Sequence, residues 1–259
     1  MIKYILINLK SFLFLFLVTV LFASCSSSKK GNVNTEDPEK AYSIAMSSYN
    51  KGDFLQAIED FSIVKLRFSG TSVADKAQYY LAMSYFKRGE YILAAYEFEL
   101  YMKNYPSGSF VVQSRYNLAM CYYRLSPEYY LDQTYTRLAI SEFRNFLELY
   151  PNEPLANEAD TRIKELRTKL ARKILASADL YMDMDDYRAA TVYYDYVLND
   201  YFDTDFADDA MYGKIQSLIK RQKFAEALEE AEKFEQRFKS SPFLNAVKSL
   251  KSQARNNIK

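Results

Sequence analysis

The sequence has no histidine and no tryptophan, and its 259 residues include only two cysteines, six glycines and six prolines. Without histidine there is no Ser-His-Asp or Cys-His nucleophile system and no imidazole ligand for a metal. A Gly-rich phosphate loop is also missing, and carboxylates are spread as on any helical surface, so no catalytic site, metal site or cofactor is expected. Charge of one sign is absent too: 34 Lys and Arg face 33 Asp and Glu, net +1, which leaves no electrostatic footprint for nucleic acid. So few helix breakers over this length argue for helices joined by short turns. What is plentiful is aromatic: 24 Tyr and 18 Phe, in a chain that is 49% hydrophobic and 26% charged, ordinary for a folded protein.

The first residues read as an address. Lys3 and Lys10 precede the apolar run of residues 12–22, too short to span a bilayer and suited to a secretory signal core. Leu21-Phe22-Ala23-Ser24-Cys25 resembles a bacterial lipoprotein signal, with Phe22 where Leu is more usual. Residues 1–24 are expected to be removed and Cys25 to carry covalent lipid. Residues 25–35 would form a flexible polar tether, and the formal charge would fall from +1 to −1 with the loss of Lys3 and Lys10. Several acyl chains, at ~0.8 kcal/mol per buried methylene, anchor a protein firmly. Ser26, rather than Asp, follows the cysteine, which fits an outer-membrane destination, and the lack of acidic residues beside Lys29 and Lys30 favours the periplasmic face. Cys121 is then a lone thiol in an oxidising compartment and is expected to be buried.

The remainder, residues 36–256, repeats itself. Tyr42, Tyr79 and Tyr116 are 37 residues apart, as are Ala45, Ala82 and Ala119, and Met46, Met83 and Met120. Behind each such segment stands an aromatic, an Ala three residues later and an aromatic four beyond it: Phe54-Ala57-Phe61, Tyr91-Ala94-Phe98, Tyr187-Ala190-Tyr194, with Ala139-Phe143 and Phe224-Ala227 as shorter forms. Gly52 and Gly89, also 37 apart, suit the helix-ending position that needs positive φ. Small alanines let paired helices approach, and aromatics fill the space between pairs. The pattern Leu81-Ala82-x-x-Tyr85, Ala94-x-x-x-Phe98, Pro106 resembles the tetratricopeptide repeat. The expected fold is all-α: a right-handed α-solenoid of about five such helix pairs (residues 37–69, 71–106, 108–151, 154–202 and 205–240) with a C-terminal capping helix near 242–256. Two intervals exceed 37. Eight extra residues fall in 125–134, where Pro127 breaks the helix and Asp132 or Thr134 is placed to cap the next. Fourteen fall around 154–179, where Leu155, Ala159, Ile163, Leu166, Leu170, Ile174 and Ala178 predict one long helix of ~40 Å.

Five repeats behind a lipidation cysteine, together with Asp132-Gln133-Thr134-x-Thr136, Leu170-Ala171 and Tyr187-x-Ala189-Ala190, resemble the BamD (YfiO/ComL) family of outer-membrane β-barrel assembly lipoproteins, over residues 25 to about 240. The resemblance implies a scaffold, not an enzyme. Such a scaffold docks on the POTRA domains of a BamA-like barrel insertase and recognises unfolded outer-membrane proteins. Two positions depart from the family pattern: Tyr193 stands where an Arg is usual, and Phe202 where a Pro is.

In such solenoids the first helix of each pair lines the groove. Tyr42, Met46 and Tyr49, then Tyr79, Met83 and Phe86, then Tyr116, Met120 and Tyr123 are the candidate peptide-binding residues; the alternative is that these rings pack adjacent repeats. Lys87 and Arg124 are placed to meet a terminal carboxylate. Residues 181–210 hold nine Asp and one Arg, while 211–259 carry net +6, a contrast read as solvated faces or a docking patch. Two other functions fit the repeat: a glycan-capturing nutrient-uptake lipoprotein, for which aromatic stripes would stack on sugars, and a periplasmic scaffold for cell-wall or division enzymes.

Overall fold

The computed structural model describes residues 32–258. The signal segment, Cys25 and most of the expected tether lie outside the described residues. Among the described residues there are eleven α-helices and no strand: α1 (Pro38–Asn50), α2 (Phe54–Arg67), α3 (Ala74–Lys87), α4 (Tyr91–Asn104), α5 (Val111–Leu125), α6 (Thr134–Leu149), α7 (Ala156–Asp183), α8 (Tyr187–Asp200), α9 (Ala207–Lys220), α10 (Phe224–Arg237) and α11 (Leu244–Asn257). Each helix packs chiefly on its neighbours in sequence, which makes an α-solenoid of five pairs closed by α11.

The repeated residues do what their sizes suggest. Ala45, Ala82 and Ala119 on the first helices, and Ala57, Ala94, Ala139, Ala190 and Ala227 on the second, are wholly buried at the contacts within pairs. Phe61, Phe98, Phe143 and Tyr194 fill the space between pairs. The core is therefore a chain of overlapping clusters rather than one centre. The first unites α1 and α2 with the start of α3, the next α3 and α4 with α5, and so on to α9, α10 and α11. Cys121 is buried as expected, and burial pushes its thiol far above the ordinary value, which keeps it unreactive.

The turns within pairs keep one conformation with changing residues. Gly52 and Gly89 take φ of 77° and 80°, as the spacing predicts; the same place after α7 and α9 holds Asp185 at 59° and Gln222 at 60°. The next residue caps the second helix where it is Asp: the Asp53 carboxylate accepts from Gln56 N–H at 3.1 Å and Asp186 from Ala189 N–H at 3.0 Å. The chain entering α1 is pinned as well. Asn32 N–H and the Ser48 hydroxyl donate to the buried Asp60 carboxylate at 2.6 and 2.8 Å, and Val33 is buried beside them.

Helix α7, with 28 residues, is the long helix predicted and extends four residues past Asp179. It works in two halves. Ala159, Ile163, Leu166 and Leu170 close the core of the third repeat, and Ala171, Leu175 and Ala178 open that of the fourth. Its polar side grips the eight-residue insertion. Lys169 Nζ donates to the Ser126 hydroxyl at 2.8 Å, Lys173 Nζ to Leu131 C=O at 2.6 Å, and the Arg172 guanidinium lies 4.2 Å from the Tyr129 ring centroid. Burial lowers the pKa of the Lys169 ammonium.

Candidate partner-binding surface

Helical spacing places the nine aromatic and methionine candidates on the first helices, and the structure sorts them by depth. Tyr79, Tyr116 and Met120, expected in the groove wall, are buried in the core. Tyr79 stacks on Phe110 with centroids 4.2 Å apart, and Tyr116 packs edge-on to Phe143 and Phe146. These three have almost no surface to offer a peptide, Tyr79 lying against Phe110 and Tyr116 and Met120 within the core of the third repeat, so for them packing and not the groove is the outcome. Burial holds the Tyr79 phenol up at about 12 and the Tyr116 phenol still higher.

The other six are half-buried. Tyr42 and Tyr49 both lean on Phe61 and on Tyr80 of the next pair, Tyr49 edge-on at 5.3 Å to Tyr80. Met46 packs against the same cluster. Met83 Sδ accepts from Asn117 Nδ2 at 3.5 Å, and Phe86 meets Tyr91 edge-on at 5.3 Å. The Tyr123 hydroxyl donates to the Glu165 carboxylate at 2.7 Å beneath the Arg162 guanidinium. Phe86 thus braces its own pair, the others join one pair to the next, and all six keep a partly open edge. Lys87 and Arg124 lie in the last turns of α3 and α5, both exposed. The stripe is thus a packed seam with an aromatic edge and two cations at its margin.

Tyr80, not singled out by the repeat, is the hub of this seam, touching Tyr42, Tyr49, Phe61, Tyr79 and Phe110. Its register mates are Ser43 and Asn117, so periodicity carries no signal for it.

A second, partly exposed aromatic surface lies where α7 meets α8. Tyr181 and Tyr193 rings are 5.1 Å apart, Tyr196 meets Tyr193 edge-on at 5.9 Å, and Leu180, Met184 and Val192 on the same two helices are exposed. Three of the nine aspartates of this region have local partners in Asp185 with the Tyr187 hydroxyl, Asp195 with Lys214 and Asp203 with Arg167. Phe202, at the family's usual proline, is exposed, with its C=O accepting from Arg237 at 2.7 Å.

Among the described residues no helix is long and apolar enough to cross a membrane. The family model described as YfiO, outer membrane lipoprotein, matches residues 34–218. A protein of Pasteurella multocida (strain Pm70) named outer membrane protein assembly factor BamD is 25% identical over 214 residues, 79% of this chain and 82% of that one. A protein of the same name from Vibrio cholerae serotype O1 (strain ATCC 39315 / El Tor Inaba N16961) is 36% identical over 59 residues, 23% of this chain and 24% of that one. Among solved structures, the TPR2AB-domain:pHSP90 complex of yeast Sti1 aligns with a TM-score of 0.41 at 13% identity, over 84% of this chain and 98% of that one. The match of the family model across most of the chain shows that it belongs to the YfiO family of outer membrane lipoproteins.

Proposed function

We propose that this chain is a scaffold of outer-membrane β-barrel assembly, held by lipid on Cys25 at the periplasmic face after removal of residues 1–24. It is a binding protein and not an enzyme. The observation that carries the reading is the family match over residues 34–218, which takes in the first four repeats and most of α9. In this reading the N-terminal seam receives extended segments of unfolded barrel proteins. Tyr42, Met46, Tyr49, Met83, Phe86 and Tyr123 supply adaptable apolar edges, and Lys87 or Arg124 takes a carboxylate. The C-terminal half docks on the POTRA domains of the BamA-like insertase through the surface around Tyr181, Tyr193 and Tyr196. The exposed Tyr196, beside the half-buried Tyr181 and Tyr193, supports the assignment, since aromatic anchors dominate protein interfaces.

The test is a photo-crosslinking amino acid placed at Tyr196 in the full chain in native membranes. Adducts mapping to a POTRA domain are the expected result. Adducts confined to a sugar transporter or a cell-wall enzyme would overturn the docking assignment.

A further inference from the structure

A cleft of about 470 Å³ opens between α6 and the middle of α7, with Tyr201 at the C-terminal end of α8 on its rim. It follows from the length of α7. Helix α6 packs on its N-terminal half and α8 on its C-terminal half, so a gap lies between the second helices of repeats three and four. Arg137, Ser141 and Arg144 recur at helical spacing and form one wall. Arg167 and Tyr201 form the other, and Leu170 is buried in the floor.

The charges there are unequally used. Arg167 is spent internally: it grips Asp203 through two nitrogens at 2.6 and 3.1 Å, donates to Asp200 C=O at 2.7 Å and lies over the Tyr201 ring. Arg137 and Arg144 are exposed, and among the described residues neither has a carboxylate within ion-pairing distance, Glu148 on the same wall included. Their positive charge reaches the Tyr201 phenol, where it opposes the upward push of burial. Two free guanidinium groups seven residues apart on one helix face have Cα atoms about 10 Å apart. Carboxylates on alternate residues of an extended chain, about 7 Å apart, fall within reach of both. Between the cations the cleft offers a tyrosine ring and a leucine, which suit an apolar side chain.

We propose that this cleft binds an extended acidic segment of a partner protein, with Arg137 and Arg144 taking two carboxylates and Tyr201 with Leu170 receiving the side chain between them. The site stands apart from the N-terminal seam and from the Tyr181–Tyr193–Tyr196 surface, and its existence does not depend on the assembly role. A concave cleft with two unpaired cations is a poorer match for a planar anionic membrane, to which each basic residue adds only about 1 kcal/mol.

The experiment uses the full chain in non-ionic detergent and a fluorescein-labelled ten-residue peptide alternating Asp with Leu. Controls are the same peptide with Asn for Asp, and vesicles of one-third phosphatidylglycerol in phosphatidylcholine. The Asp peptide is expected to bind the native chain in a salt-sensitive manner and to lose about tenfold or more in affinity in Arg137→Glu with Arg144→Glu, both on an exposed face. The Asn peptide is expected not to bind. Equal binding of the two peptides, no binding of either, an affinity unchanged in the double variant, or an Arg137- and Arg144-dependent preference for the vesicles would each overturn the proposal.

Discussion

Gln133 and Thr136 are joined inside the third repeat: the Thr136 hydroxyl donates to Gln133 Oε1 at 2.7 Å, with both side chains buried. The other end of the same amide donates to the backbone carbonyls of Glu128, Leu131 and Tyr129 at 2.8, 3.0 and 3.3 Å. One side chain thus closes the eight-residue insertion into a fixed loop before α6 begins. Gln133→Ala strands several buried groups and is expected to cost about 2–3 kcal/mol in urea unfolding. It should also open residues 126–133 to limited proteolysis. A variant as stable and as protected as the native chain would show that the loop is held instead by Lys169 and Lys173.

A great deal of this architecture was legible in the residues. The 37-residue spacing of alanines and aromatics marks which faces meet, since small residues must stand where helices cross closely. Gly52 and Gly89 announce positive φ directly. The equivalent turns at Asp185 and Gln222 are silent, because the backbone is held there by the helices on either side rather than by the residue. The candidate surface was legible only in part. Repeated spacing identifies Tyr79, Tyr116 and Met120 as important but cannot say whether a ring faces a partner or the next repeat. Contact between pairs decides that, and here it buries them. Arg167, which ties α7 to the turn after α8, finds its partner 36 residues on, and the surface around Tyr196 stands outside the repeated positions, so no motif signals either.

Gly213 on α9 stands against the Tyr194 ring, and a methyl group at this position would collide with ring atoms Cζ and Cε1 of a buried side chain. An ordinary helical glycine gains about 1 kcal/mol on change to alanine. Gly213→Ala is expected to reverse the sign and lose about 1–3 kcal/mol through overpacking, read as a lower urea midpoint. A gain would mean that α8 and α9 are more loosely packed than described.

Alkali should unfold this chain early. Burial raises the phenols of Tyr79, to about 12, and of Tyr116 and Tyr194 further, whereas an unfolded tyrosine titrates near 10. The folded pKa lies above the unfolded one, so this contribution is complete below pH 10 and is lost as pH rises through 10 towards 12. Each of the three buried rings then removes up to about 1.4 kcal/mol per pH unit. Among the described residues the buried Tyr116 hydroxyl makes no hydrogen bond of good geometry, although the Glu158 carboxylate stands near it, so Tyr116→Phe is expected to change stability at pH 7 little and to flatten the alkaline fall. Urea midpoints at pH 7, 10 and 11.5 for both chains check this; a native midpoint independent of pH up to 11.5 would contradict it.

Lys87 and Arg124 are exposed, so reversing their charge should not disturb the fold. Lys87→Glu with Arg124→Glu is expected to weaken binding of a peptide from the C-terminal strand of an outer-membrane barrel about tenfold or more at low salt, with helicity by circular dichroism unchanged. Amidation of the peptide's terminus should weaken binding to the native chain and matter little to the variant. Equal affinity of both proteins for both peptides would remove these two cations from client binding.

A role in barrel assembly is tested by depleting the chain in its native cell and measuring folded β-barrel proteins in the outer membrane by their heat-modifiable migration. Folded barrels of unrelated function are expected to fall together while their unfolded precursors accumulate in the periplasm, and restoring the chain with Cys25→Ser is expected not to recover them fully. Normal levels of folded barrels throughout depletion, with a defect confined to sugar uptake or to cell division, would contradict it.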